Sequence, residues 1–164
     1  MKKIAFLDRD GVINKKAEEH CYITGVPDFI FNEGIFELLH RLTALGFEFI
    51  VLTNQRGVAR KLMSEEDLSE IHEHMSETFR KNNLELLDIF VCPHEENSCE
   101  CRKPKPGLMV RAQENHPIDM GNSILISDSQ KDIEMGMNAG LKYSIFIPSD
   151  RVDVAIKIID NVFI

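Results

Sequence analysis

Ile4-Ala5-Phe6-Leu7-Asp8-Arg9-Asp10-Gly11 opens as a short apolar, β-rich run and breaks into two carboxylates, two residues apart, at a glycine turn. Comparable runs recur at Phe47–Leu52, Ile89–Val91, Ile124–Ile126 and Tyr143–Ile147, and most of the intervals between them carry apolar residues at helical spacing. This alternation implies parallel strands joined by helical crossovers. The expected fold is therefore α/β, a three-layer sandwich around a central parallel sheet of four or five strands.

The helices have readable ends. Asn32 is expected to cap a helix over 33–45, with Ile35, Leu38, Leu39 and Leu42 on its buried face and Gly46 as its stop. Ser64 and Asp67 form an S-x-x-D variant of the capping box ahead of the stripe Leu68, Ile71, Met75 and Phe79. Pro106 starts a third helix, 131–139 forms a fourth that Gly140 ends, and 151–159 is the last.

Composition limits what this fold can do. The chain has 164 residues, 43% hydrophobic and 28% charged, with no internal repeat and no Ser/Gly/Pro-rich linker, so residues 1–164 are expected to form one domain. A formal net charge of −8 repels a phosphate backbone over most of the surface, which disfavours nucleic acid as a partner. Asp8 interrupts the first apolar run, and no later segment approaches the ~18 apolar residues of a membrane span. A cytoplasmic protein with no membrane partner is the expectation, and a monomer the default.

In parallel α/β sheets ligands gather at the carboxyl ends of the strands. The polar residues there are Asp8, Thr53, Cys92 and Asp128. A carboxylate at a strand end can attack phosphorus, and a second just beyond it, Asp10, can protonate a leaving alkoxide and then deprotonate water. Alone, Asp-x-Asp-Gly is as readily a polar turn. Two carboxylates beside an anionic substrate also need cations. Lys103, bracketed by prolines in Arg102-Lys103-Pro104-Lys105-Pro106-Gly107, supplies one. Thr53 and Asn54 can hold phosphoryl oxygens. Asp8, the Asp10 carbonyl and Asp128 offer a partial Mg²⁺ shell, with Asp132 on roughly the same face as Asp128.

A second array, Cys92-Pro93-His94 with Cys99-Glu100-Cys101, brings three thiolates and an imidazole within ten residues. It suits a tetrahedral Zn²⁺ with no open position, hence a structural ion folding the loop 92–101 and anchoring Lys103 beside it. Cys21 is left over, and no disulfide is expected.

Taken in order, Asp8-Arg9-Asp10-Gly11, Thr53, Lys103 and Asp128–Asp132 resemble the four motifs of the haloacid dehalogenase (HAD) superfamily of phosphohydrolases. The stretches FLDRDGVIN at 6–14, LTNQRGVAR at 52–60, CPH at 92–94 and CECRKPKPG at 99–107 resemble its histidinol-phosphatase-like group, which includes the D-glycero-D-manno-heptose 1,7-bisphosphate 7-phosphatases. The resemblance implies that Asp8 forms an aspartyl-phosphate, that Asp10 is the general acid and base, and that Thr53 and Lys103 bind the transferring phosphoryl. It further implies that Asp128 completes the Mg²⁺ site and that Arg102 recognises substrate. Two residues depart from the pattern. Ser127 stands where Gly is usual before the metal-binding Asp, and Arg56 stands where a small residue is usual, adding a cation near the substrate entrance.

The stretches 11–52 and 54–102 are largely used by helices and strands, which leaves no room for a large cap domain. His20 and Tyr22 lie on the rim segment 12–31. The leading expectation is a Mg²⁺-dependent phosphomonoesterase acting on a small phosphorylated metabolite, a sugar bisphosphate such as heptose 1,7-bisphosphate. Arg56, Arg60, Lys61 and Arg102 are cations beyond those one phosphoryl group needs. Histidinol phosphate is the alternative within the class, although a cationic amine is poorly served by arginines. A catalytically silent metal-dependent binding protein would not need both Asp8 and Asp10. A zinc-knuckle nucleic-acid binder conflicts with the charge and with the absence of interleaved aromatics.

Overall fold

The structure, a computed structural model, describes residues 1–163; Ile164, the last residue of the expected domain, lies outside the described residues. Strands β1 (Ile4–Leu7), β2 (Glu48–Asn54), β3 (Leu86–Cys92), β4 (Ile124–Ser127) and β5 (Tyr143–Phe146) form a five-stranded sheet in the order β3-β2-β1-β4-β5. Every neighbouring pair is parallel. Helices α1 (Ile35–Ala44), α2 (Glu65–Lys81), α3 (Gly107–Asn115), α4 (Gln130–Asn138) and α5 (Val152–Phe163) make the crossovers and the C-terminal layer.

Side-chain alternation along the strands builds two cores. Ala5, Leu7, Phe49, Val51 and Ile126 point to one face and pack with α1, α2 and α5, whereas Ile4, Phe6, Ile50, Leu52 and Leu125 point to the other and pack with α3 and α4. The result is the expected three-layer sandwich. Its register sets Leu7 beside both Val51 and Ile126, so the carboxyl ends of β1, β2 and β4 open at one level.

The capping box at α2 forms as read, with Asp67 N donating to Ser64 Oγ at 3.0 Å and Ser64 N to Asp67 Oδ2 at 2.8 Å. The cap expected of Asn32 does not form. Helix α1 starts after Gly34, whose φ of 79° only glycine adopts at no steric cost. The buried Asn32 amide instead donates to the Val12 carbonyl at 3.1 Å and to Asp150 Oδ1 at 3.2 Å, tying the rim segment down. That segment sends Val12, Ile13, Ile23 and Phe29 into the core and forms no separate layer. The last helix runs past the expected end at 159, because the apolar stripe continues to Phe163. Among the described residues, no helix is long and apolar enough to cross a membrane.

Candidate active site

Strand β1 delivers Asp8 directly to the sheet's carboxyl edge, where its backbone N–H still donates to the Ile126 carbonyl at 3.1 Å. Asp8 Oδ1 accepts from the Arg9 backbone N–H at 2.8 Å and lies 3.0 Å from Lys103 Nζ. Its Oδ2 is lightly engaged, with Ser127 Oγ at 3.3 Å. The lysine is almost wholly buried and donates also to Asp132 Oδ2 at 2.6 Å and to the Leu52 carbonyl at 3.0 Å. Asn54, at the end of β2, holds the lysine's backbone, accepting from Lys103 N at 3.1 Å and donating to its carbonyl at 3.3 Å. Three elements thus fix one ammonium against one carboxylate.

Asp10 is held differently. Its Oδ1 accepts from Arg9 Nη2 at 2.9 Å and from Asn14 Nδ2 at 2.9 Å, and its Oδ2 from Gln55 Nε2 at 2.9 Å. Burial works to raise its pKa, but the Arg9 guanidinium and these donors outweigh it and hold the carboxyl below its ordinary value. A phosphate dianion brought alongside would raise its affinity for a proton. Asp8 is pushed up to about 6, chiefly by burial, with Asp132 and Asp128 adding to the rise and Lys103 opposing it.

Asp128 follows β4, and its side chain is 2% exposed. Its Oδ2 accepts from Lys16 Nζ at 2.7 Å and from Ser149 Oγ at 2.6 Å. Gly11 makes this packing possible, since a Cβ there would run into the Asp128 carboxylate and its φ is 86°. Around these groups lies a cavity of about 470 Å³ whose walls include Asp8, Asp10, Asn54, Arg102, Lys103 and Asp128.

The donor set fits a divalent cation. Three buried carboxylates, Asp8, Asp128 and Asp132, face two lysines, Lys16 and Lys103, and Asp10 is neutralised by Arg9, so one negative charge among these groups is left over. Among the described residues the Asp10 carbonyl accepts no backbone hydrogen bond. Carboxylate and carbonyl oxygens of this kind are what Mg²⁺ takes.

Two expected site residues stand back from the cavity. Thr53 is fully buried, and its hydroxyl accepts from Gln55 Nε2 at 2.8 Å. Arg56 donates to Tyr22 Oη at 3.2 Å and to Glu96 Oε1 at 2.9 Å, with Glu95 at 3.3 Å, so its charge clamps the rim segment to the loop after β3. Arg102 does line the cavity, and its buried Nη1 has no partner. Ser127 is fully buried at the end of β4. Its hydroxyl accepts from Ser129 N at 3.1 Å and donates to Asp132 at 2.9 Å, bracing the anchor of Lys103. Asp132, expected on the same face as Asp128, holds Lys103, whereas Arg9, Asn14 and Gln55 carry no site signal of their own in the sequence, although each lies within four residues of a motif residue.

Cys92, His94, Cys99 and Cys101 come together at the mouth of β3, their donor atoms all within 4.8 Å of one another. Cys99 Sγ lies 3.5 Å from both Cys92 Sγ and Cys101 Sγ, and His94 Nδ1 lies 3.2 Å from Cys101 Sγ. Sulfurs bound at ~2.3 Å in a tetrahedron sit about 3.8 Å apart, so the cluster fits Zn²⁺, while 3.5 Å is far too long for a disulfide. The loop then packs on α3, where a Cβ at Gly107 would strike the Glu100 carbonyl.

The family model for polynucleotide kinase 3 phosphatase matches residues 3–157. The chain belongs to this family of phosphatases. It is 38% identical over 149 residues to D-glycero-alpha-D-manno-heptose-1,7-bisphosphate 7-phosphatase of Campylobacter jejuni, covering 91% of this chain and 84% of that one. It is 37% identical over 158 residues to D-glycero-beta-D-manno-heptose-1,7-bisphosphate 7-phosphatase of Vibrio cholerae, covering 92% and 83%. Among solved structures, the D,D-heptose 1,7-bisphosphate phosphatase of B. bronchiseptica, complexed with magnesium and phosphate, superposes with a TM-score of 0.82. It shares 24% identity and covers 98% of this chain and 99% of its own. This phosphatase-family chain thus shares that structure's fold over nearly its whole length.

Proposed function

We propose that the chain is a Mg²⁺-dependent phosphomonoesterase that removes the 7-phosphate of D-glycero-D-manno-heptose 1,7-bisphosphate through an aspartyl-phosphate on Asp8. The observation that carries this is Asp8 held against Lys103, with Asp10 beside it, in a cavity also lined by Arg102 and Lys131. One phosphoryl group is met by Lys103, and the remaining cations, with the unpartnered Arg102 Nη1, suit a second phosphate. The relatives' names agree with such a substrate.

Asp8 attacks phosphorus, forming a P–O bond as the bond to the sugar oxygen breaks, and Asp10 gives its proton to the departing alkoxide. Asp10, now a carboxylate, takes a proton from water, whose oxygen bonds to phosphorus as the bond to Asp8 breaks. Lys103 neutralises charge throughout, and Asn54 fixes its position. Thr53 serves through its backbone and through Gln55. Bound Mg²⁺, held by Asp8, the Asp10 carbonyl and Asp128, would neutralise charge on the transferring phosphoryl. Zn²⁺ on Cys92, His94, Cys99 and Cys101 would have a structural role, fixing the loop that leads to Lys103. Residues 1–164 act in this reading as one domain, on a small cytoplasmic metabolite.

Histidinol phosphate would bring an ammonium into a cavity lined by Arg102 and Lys131, whose charges repel it. The test is kcat/KM with Mg²⁺ for both anomers of heptose 1,7-bisphosphate, for histidinol phosphate and for a 3′-phosphorylated oligonucleotide. A preference of about 100-fold for the bisphosphate, roughly 2.7 kcal/mol, is expected. Preference for either other substrate overturns the assignment, and no turnover of any would leave a binding protein.

A further inference from the structure

We propose that His72, on helix α2 outside the cavity, is a positioning residue for Asp10 that acts through the buried Arg9. The inference rests on the role given to Asp10 above. Arg9 lies between the two catalytic carboxylates in sequence, yet its side chain is fully buried. Its carbonyl accepts from the backbone N–H groups of Val12, Ile13 and Asn14, which fixes where the side chain leaves the turn. The guanidinium meets Asp10 Oδ1 through Nη2 at 2.9 Å and Nε at 3.3 Å, and the Phe29 ring lies 5.6 Å below it. Its remaining edge, Nη1, lies 3.3 Å from His72 Nε2.

An arginine has donors only, so His72 must present a lone pair on Nε2 and carry its proton on Nδ1. Burial, with the guanidinium beside it, pushes the His72 pKa down to about 3, consistent with a permanently neutral acceptor. That constancy matters for the proposed cycle. Asp10 alternates between carboxylate and carboxylic acid, and each protonation removes the charge that pairs with Arg9. His72 keeps the guanidinium in place across both states, so the oxygen that must give and take the proton returns to the same position. Without the imidazole, a buried N–H loses its acceptor and the guanidinium is free to turn about its last bonds.

The test compares His72→Leu, His72→Asn and His72→Gln with the wild type on heptose 1,7-bisphosphate and on p-nitrophenyl phosphate. Glutamine can place an acceptor where Nε2 stood, whereas asparagine stops short and leucine has none. Leucine and asparagine should lower kcat on the sugar phosphate about tenfold with KM unchanged; on the aryl phosphate they should lower kcat, which still needs Asp10 to activate water, but spare the rate of the p-nitrophenolate burst, whose leaving group needs little protonation. Glutamine should restore kcat to within about twofold on both. Unchanged kcat in the leucine and asparagine variants, a p-nitrophenolate burst slowed as much as kcat, or a glutamine variant as poor as leucine would each overturn the proposal. Should leucine not fold, asparagine carries the comparison. Independently of turnover, the ¹⁵N spectrum at pH 6 should show His72 neutral with Nε2 unprotonated, and the opposite tautomer or an imidazolium would also overturn it. Loss of wild-type turnover itself would instead refute the assigned function.

Discussion

Asp132 Oδ2 meets Lys103 Nζ at 2.6 Å, with both side chains 4% exposed, and the same ammonium reaches Asp8 at 3.0 Å. The lysine that faces Asp8 is therefore aimed from the first turn of α4, not from its own loop alone.

Asp132→Asn keeps the shape and removes the charge. The ammonium would then be drawn wholly to Asp8, so kcat should fall by about 10- to 100-fold, and denaturant unfolding should show a loss of about 1–3 kcal/mol, less than for a buried pair left with no partner. A variant with wild-type kcat would show that Asp132 does not set the lysine's position.

The two arginines singled out from sequence should separate. Arg102 faces the cavity with Nη1 unpaired, whereas Arg56 is occupied by Tyr22, Glu95 and Glu96. Arg102→Ala should lower kcat/KM for the bisphosphate by about tenfold or more and affect a monophosphate ester less, because a charge-assisted contact is lost. Arg56→Ala should instead lower the melting temperature, with a smaller effect on kcat/KM. Equal responses in both assays would contradict the placement.

Chelating the ion expected on Cys92, His94, Cys99 and Cys101 should lower the melting temperature and turnover together, since the same loop leads into Lys103. Adding Zn²⁺ back should restore both. Full turnover with an unchanged melting temperature in a zinc-free preparation would refute this coupling.

His72 also predicts part of the acid limb of stability. Its ordinary value is 6.5, but burial and then Arg9 hold it at about 3 in the fold. Below pH 6.5 the unfolded chain binds a proton that the native state refuses, so stability falls as pH drops from 6.5 towards 3. His72→Gln removes that contribution, and its stability–pH curve should be flatter by up to about 2 kcal/mol at pH 5. Parallel curves would show that His72 is protonated in the native state.

What could be read in the sequence was local. Apolar runs ending in Asp8, Thr53-Asn54 and Ser127-Asp128 marked the strand ends, and the Ser64–Asp67 box and Gly46 marked helix ends, because each signal needs only neighbouring residues. Long-range partners decided the rest. Asn32 left its expected cap for Asp150, Arg56 left the cavity for glutamates on the loop after β3, and Arg9 turned inward to His72. None of those pairings follows from periodicity or spacing.

In the proposed cycle Asp8 takes the phosphoryl group and Asp10 then activates water. Asp10→Asn mixed with p-nitrophenyl phosphate and Mg²⁺ tests both at once. The expected result is a burst of one p-nitrophenolate per enzyme, almost no turnover after it, and a phosphoryl group on the peptide carrying Asp8. Continued turnover without a burst, with Asp8 unmodified throughout, would contradict it.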